Sequence, residues 1–150
     1  METTVLLLTR GERGKNPERR MDEFSRAMNW WGFDFEVFKF PDLGLAYVPL
    51  QRMVREVARV VEEKKLDTII SMNPFELTYG YDHPDHNRTG EVARLVSTGM
   101  PGRRGLLLWT GDGEATSTDQ RLDYAAQFYP SQVISREILE KVGEKYLVIR

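Results

Sequence analysis

Residues Thr4 to Thr9 read TVLLLT, a continuous apolar run of four between threonines. A short apolar run without polar alternation is the pattern of a strand covered on both faces, as in a parallel sheet. The neighbouring segments support that reading. Gly11 to Pro17 is a polar, glycine-containing loop, in which Asn16 is placed to cap a helix with Pro17 at its first position. In that helix Met21, Phe24, Ala27, Met28 and Trp31 recur at helical spacing, and Gly32 is placed to end it. Phe33 to Phe40 (FDFEVFKF) alternates aromatic and polar residues, as a strand with one wetter face does. Pro41-Asp42-Leu43-Gly44 is a turn.

The alternation continues. From Pro49 to Lys65 an apolar stripe of Leu50, Met53, Val54, Val57, Val60 and Val61 faces a row of Arg and Glu, which marks a helix. Thr68 to Met72 (TIISM) reads as a strand stopped by Asn73-Pro74, and a helix is expected from Pro84 to Gly99. Gly105 to Thr110 (GLLLWT) is a further strand, Thr110 to Thr118 a loop, Gln132 to Gly143 contains a short helix, and Lys145 to Ile149 is a last strand. The order β-α-β-α-β-α-β with an α-β tail implies an α/β, Rossmann-like fold. The expectation is a mainly parallel sheet with helices on both faces, in a single domain over residues 1–150.

Composition narrows the function. With 150 residues, 41% hydrophobic and 29% charged, the chain is long enough to bury a core and is ordinary for a globular protein. A net charge of −2 argues against a general nucleic-acid binder. Arg19-Arg20 and Arg103-Arg104 are local basic pairs, read as solvated faces. The absence of cysteine excludes disulfides, thiolate metal sites and cysteine nucleophiles, so any transition-metal site must use His and carboxylates. No apolar run reaches the length of a membrane span, and METTVLLLTR has no basic leader, so a cytoplasmic location is expected.

Open parallel sheets bind ligands beyond the carboxyl ends of their strands. Both histidines of the chain, His83 and His86, lie in such a segment, within Tyr81-Asp82-His83-Pro84-Asp85-His86-Asn87-Arg88. A plain helix start, with Asp82 or His83 as cap, Pro84 in the first turn and Asp85 favoured by the helix dipole, explains Asp82, Pro84 and Asp85. It leaves the two histidines over. One could bind a metal while the other serves an oxyanion, its ring held by a carboxylate. The stretch is short of two metal ligands and a general base.

The chain resembles the PIG-L / LmbE-like family of zinc-dependent N-deacetylases, which act on GlcNAc-containing lipids and on mycothiol and bacillithiol precursors. His83-Pro84-Asp85-His86, followed by Gly90, looks like the family's Gly-His-Pro-Asp-His run opening a helix. Thr9-Arg10-Gly11-Glu12 resembles its Thr-x-Gly-Glu. Arg20, Glu23, Ala27 and Gly32 match its Arg-x-x-Glu helix, Pro41-Asp42-Leu43-Gly44-Leu45 its Pro-Asp-Gly-Gly-Leu-like turn, and Asn73-Pro74 its strand end. These landmarks run in order from about residue 4 to about residue 112.

By this resemblance His86 is the zinc ligand, His83 stabilises the tetrahedral oxyanion, Asp85 orients or tunes His83, and Arg20 and Asp42 lie near the substrate. The plainer readings stand beside these. Arg20 is also placed to pair with Glu23 along a helix, and Asp42 to favour its turn. The family's first signature, an Ala-His-Pro-Asp-Asp-Glu run on its first strand, has no counterpart in the sequence. That run supplies the other zinc ligands and the general base. The expectation is therefore a zinc-dependent amide hydrolase acting on an N-acetylated amino sugar or similar polar amine, impaired or inactive as an isolated chain, and read as the larger C-terminal part of a longer deacetylase. A strand-donating partner, a homo-oligomer, and a non-catalytic Rossmann-like ligand-binding or partner-docking protein are the alternatives. The loops Phe75 to Tyr81 and Gly111 to Thr118 are where substrate selection is expected.

Overall fold

The TVLLLT run forms a strand, β1 (Thr4–Leu7), that pairs in parallel with β2 (Asp34–Val37), from Thr4 opposite Asp34 to Leu7 opposite Val37. The computed structural model describes residues 2–75, 83–99, 105–110, 118–132, 136, 140 and 145–149. The remaining elements are α1 (Pro17–Trp31), a 3-10 turn η1 (Leu45–Tyr47), α2 (Leu50–Glu63), β3 (Thr68–Met72), α3 (Pro84–Gly99), β4 (Gly105–Thr110), α4 (Thr118–Phe128) and β5 (Lys145–Ile149). The chain divides into two compact units: residues 1–43 with 115–141, and residues 44–114 with 142–150.

In the first unit both strands are shorter than their apolar patterns, because ladder pairing stops before the pattern does. Single bonds carry the pairing on, from the Phe38 N–H to the Leu7 carbonyl at 2.8 Å and from the Phe40 N–H to the Leu8 carbonyl at 3.2 Å. α1 buries Phe24, Ala27 and Met28 against Val5, Leu7 and Phe35, with Phe128 of α4 in the same cluster. Full burial of a phenylalanine or methionine side chain such as Phe24 or Met28 stabilises by roughly 1.5–3 kcal/mol. Trp31 lies within ring contact of Phe33, Tyr124 and Phe128. Gly32, at φ 66°, ends α1: its N–H reaches the Asn29 carbonyl and the Phe33 N–H reaches Met28. A glycine takes this left-handed conformation at little cost.

Two local expectations change here. Asn16 stands at the N-cap of α1, but in the left-handed region (φ 51°, ψ 58°) and without a side-chain capping bond. A side-chain cap needs an extended N-cap residue, so the polar residue at the right place does not perform the expected job. The helix α4, Thr118–Phe128, was not expected. Only Phe128 of it is buried, so its apolar face is too sparse to show as a period, and it is defined by packing on α1. Of the stretch from Gln132 to Gly143 expected to contain a short helix, Gln132 is not helical, Arg136 and Glu140 are, and the rest lies outside the described residues.

In the second unit β4 stands between two partners. It pairs in parallel with β3, from Thr68 opposite Gly105 to Met72 opposite Trp109, and antiparallel with β5. The pairing expected of one mainly parallel sheet is thus distributed over two sheets, β1-β2 and β3-β4-β5, with the last strand reversed. α2 buries Met53, Val57, Val60 and Val61, the stripe its sequence shows, and packs against α3, which buries Val92, Ala93 and Val96. Ala93, Leu106 and Leu108 close a core patch with Ile69. Among the described residues no helix is long and apolar enough to cross a membrane. The basic pair at 103–104, Tyr81, Asp82 and almost all of both expected substrate loops lie outside the described residues.

Candidate functional site

The two histidines lie at the start of α3. The His83 carbonyl accepts the N–H groups of His86 (2.8 Å) and Asn87 (3.1 Å), so His83 is the residue from which the helix begins. Pro84 comes next, in the first turn, where its missing N–H costs nothing. The His83 side chain adds the cap: its Nδ1 accepts the Asp85 N–H at 3.1 Å. With Nδ1 accepting, the neutral ring carries its hydrogen on Nε2, which is then a donor. One geometry thus gives His83 both a structural job and a fixed tautomer. The His83 and His86 rings stand 5.2 Å apart, centroid to centroid, tilted by 46°. His83 is half-buried and His86 exposed.

Asp85 points the other way. It is buried at 8% exposure, and its Oδ1 accepts the Leu45 N–H at 3.1 Å, tying the first turn of α3 to η1. The N-terminal end of a helix favours a carboxylate at this position. Its other oxygen, Oδ2, is buried with no hydrogen-bond partner among the described residues. Arg88 strengthens the same joint, donating to Glu91 at 2.8 Å and to the carbonyls of Val48 (3.3 Å) and Ala46 (3.4 Å). Gly90 lets α3 approach the end of β3. A Cβ there would lie under 3.0 Å from the Met72 carbonyl oxygen and 2.9 Å from both N and Cδ of Pro74.

Arg20 and Asp42 are in the other unit, where both bear on the loop at residues 10–16. Asp42 is fully engaged: Oδ1 accepts the Thr9 hydroxyl at 3.4 Å and Oδ2 the Arg13 N–H at 3.1 Å. Its own N–H donates to Glu12 Oε1 at 2.7 Å. That bond is the main reason the Glu12 carboxyl titrates below its ordinary range, against a smaller opposing effect of burial. The turn after β2 and the loop after β1 therefore clamp each other through two carboxylates. Arg20 lies beneath the loop, its Nη2 donating to Gln132 Oε1 at 3.3 Å. A Cβ at Gly14 would lie under 3.0 Å from Arg20 Nη1 and 3.3 Å from Cζ. The pairing of Arg20 with Glu23 that helix spacing suggested does not form. It is Arg19 that reaches Glu23, at 3.3 Å. Ser131 and Gln132, the residues that Glu23 and Arg20 do reach, went unmarked in the sequence. They lie 108 and 112 positions away, beyond any local pattern.

The family model for GlcNAc-PI de-N-acetylase, PIG-L, matches residues 1–97, which hold Arg20, Asp42, His83, Asp85 and His86. The chain belongs to the PIG-L family. A solved structure described as the conserved protein TT1542 of Thermus thermophilus is 25% identical, with a TM-score of 0.69 over 93% of this chain and 70% of that one. The N,N'-diacetylchitobiose deacetylase of Pyrococcus horikoshii, solved with its inhibitor MPG, is 12% identical, with a TM-score of 0.74 over 97% of this chain and 71% of that one. At that identity it shares the fold. No curated protein matches the chain in sequence.

A metal is expected of a PIG-L member, and the residues present decide whether they can hold one. Among the described residues no three His, Cys, Asp or Glu side chains converge as a metal-binding group. The described part of this family member therefore does not make up a zinc site.

Proposed function

We propose that this PIG-L family member is an N-deacetylase-type amide hydrolase acting on an N-acetylated amino sugar or similar polar amine. The observation that carries the reading is the state of His83. Its Nδ1 is occupied by the Asp85 N–H, which leaves Nε2–H as a directed donor at the head of a helix. A donor held in place before the reaction is what a developing oxyanion requires, and removing one such donor costs roughly 10²–10³ in turnover in hydrolases that use one. Asp85 holds the turn that carries His83, through Leu45. Arg20 and Asp42 are the proposed substrate-side residues, supported by their convergence on one loop.

Zinc is part of the same proposal, with His86 as the ligand this chain offers. Turnover by the isolated chain is expected to be low, because the family's first signature, which supplies its other zinc ligands and general base, has no counterpart in the sequence. The family description and the neighbour's name point to GlcNAc-PI-like and diacetylchitobiose-like compounds as substrates to try. The test is release of free amine from N-acetylglucosamine, a GlcNAc-PI analogue and N,N'-diacetylchitobiose in zinc-supplemented buffer, for the wild type and His83→Gln. Slow release that the variant abolishes is the expected result. Release that survives the variant, or none from any of the three compounds, overturns the reading.

A further inference from the structure

We propose that Glu23 is a positioning residue for the Arg20 guanidinium, acting through Ser131 and Gln132. Glu23 has no exposed surface, an unusual place for a carboxylate on a helix whose other buried residues are Phe24, Ala27 and Met28. A buried carboxylate persists only where donors replace its water. Here they are the Ser131 hydroxyl at 2.6 Å, the Ser131 N–H at 3.0 Å and Arg19 Nε at 3.3 Å. Two of the three come from Ser131. The next residue, Gln132, accepts the Arg20 guanidinium at 3.3 Å.

Arg20 and Glu23 are one turn apart on α1, so a single helix holds both residues of the Ser131-Gln132 pair. The Glu23 bonds fix where the backbone of residue 131 sits, and that sets where the Gln132 amide can present its oxygen. On its other side the guanidinium is confined by the loop at Gly14, where no Cβ would fit beside Nη1. An arginine held on both sides keeps fewer rotamers, so less entropy is lost when it meets a ligand. If Glu23 cannot hold Ser131, Arg20 keeps its charge and its place on α1 but loses its fixed direction.

This proposal rests on the reading of Arg20 as a substrate contact, and the test separates the two. The Arg20 side-chain Nε–H resonance is followed by NMR in the full chain while N-acetylglucosamine is titrated into the wild type, Glu23→Gln, Ser131→Ala and Arg20→Lys. The expected result is that Glu23→Gln and Ser131→Ala each shift and broaden the Arg20 resonance. Each also weakens N-acetylglucosamine binding by roughly 2- to 12-fold, the value of one ordinary hydrogen bond. An unmoved Arg20 resonance in either variant, with the fold intact by circular dichroism, overturns the positioning role. Ser131→Ala, which removes one hydroxyl, carries the test if Glu23→Gln fails to fold. A different result, Arg20→Lys binding N-acetylglucosamine as well as the wild type does, removes the substrate contact itself and defeats that reading, whatever the resonance shows.

Discussion

Replacing Gly90 by alanine is expected to destabilise the unit that carries α3, although alanine is the better helix former. The obstacle is backbone. The added Cβ would lie 2.9 Å from N and Cδ of Pro74 and under 3.0 Å from the Met72 carbonyl oxygen. Ordinary heavy-atom contact begins near roughly 3.5 Å, so helix and strand end must part by about 1 Å. No rotamer change can relieve this. Overpacking of this kind costs about 1–3 kcal/mol, and the upper end applies where the neighbours cannot rotate away. Helix propensity returns about 1 kcal/mol, leaving a net loss of about 2 kcal/mol. Gly99→Ala is the internal control. It ends the same helix, and a Cβ there meets no described atom within 4 Å. That variant should be neutral or up to about 1 kcal/mol more stable. Urea unfolding followed by far-UV circular dichroism, with an unchanged m-value, measures both. Gly90→Ala unfolding at the same urea midpoint as Gly99→Ala would refute the close approach of α3 to β3.

Lys65 follows α2 at φ 54°, with its N–H bonded to the Glu62 carbonyl and the Leu66 N–H to Val61. This is the helix end that α1 builds with Gly32, so Lys65→Gly should raise stability by about 1 kcal/mol, read as a higher thermal midpoint. Asp85→Ala strands the Leu45 N–H and should cost about 1–3 kcal/mol by urea titration. Glu23 supplies a pH dependence. Burial pushes its carboxyl up, but the Ser131 hydroxyl and N–H and the Arg19 charge together hold it below the ordinary glutamate range. A lowered folded-state pKa contributes stability that is complete above the unfolded value and lost as pH falls through the folded one. The thermal midpoint should therefore drop more steeply in the wild type than in Glu23→Gln as pH falls through and below the ordinary glutamate range. Gly14→Ala would push the Arg20 guanidinium aside and bring a Cβ to 3.2 Å from the Gly11 carbonyl oxygen, so it should cost about 1 kcal/mol of stability while weakening N-acetylglucosamine binding in the same titration.

The α/β class, most elements and the helix start that carries His83, Asp85 and His86 were legible in the sequence, because they rest on short-range patterns. The apolar stripe of α2 predicts its buried face, since a helix repeats every few residues and Met53, Val57, Val60 and Val61 follow that repeat. His83-Pro84-Asp85-His86 announces a helix start, since capping involves adjacent residues only. The resemblance to the PIG-L family was carried by such local runs as well.

What only the tertiary structure decided depends on partners distant in sequence. Whether Asn16 caps its helix depended on a backbone conformation that its residue type does not set. α4 was invisible because a single buried residue, Phe128, cannot form a period, and its place comes from α1. The partners of Glu23 and Arg20 were likewise hidden. A hydrogen bond across more than a hundred residues leaves no spacing to read, since loop closure brings such pairs together without any local pattern at either end. The tautomer of His83 lies between these cases. Its partner, Asp85, is two residues away and plain in the sequence, but only the folded turn aims that N–H at Nδ1 and leaves Nε2 as the donor.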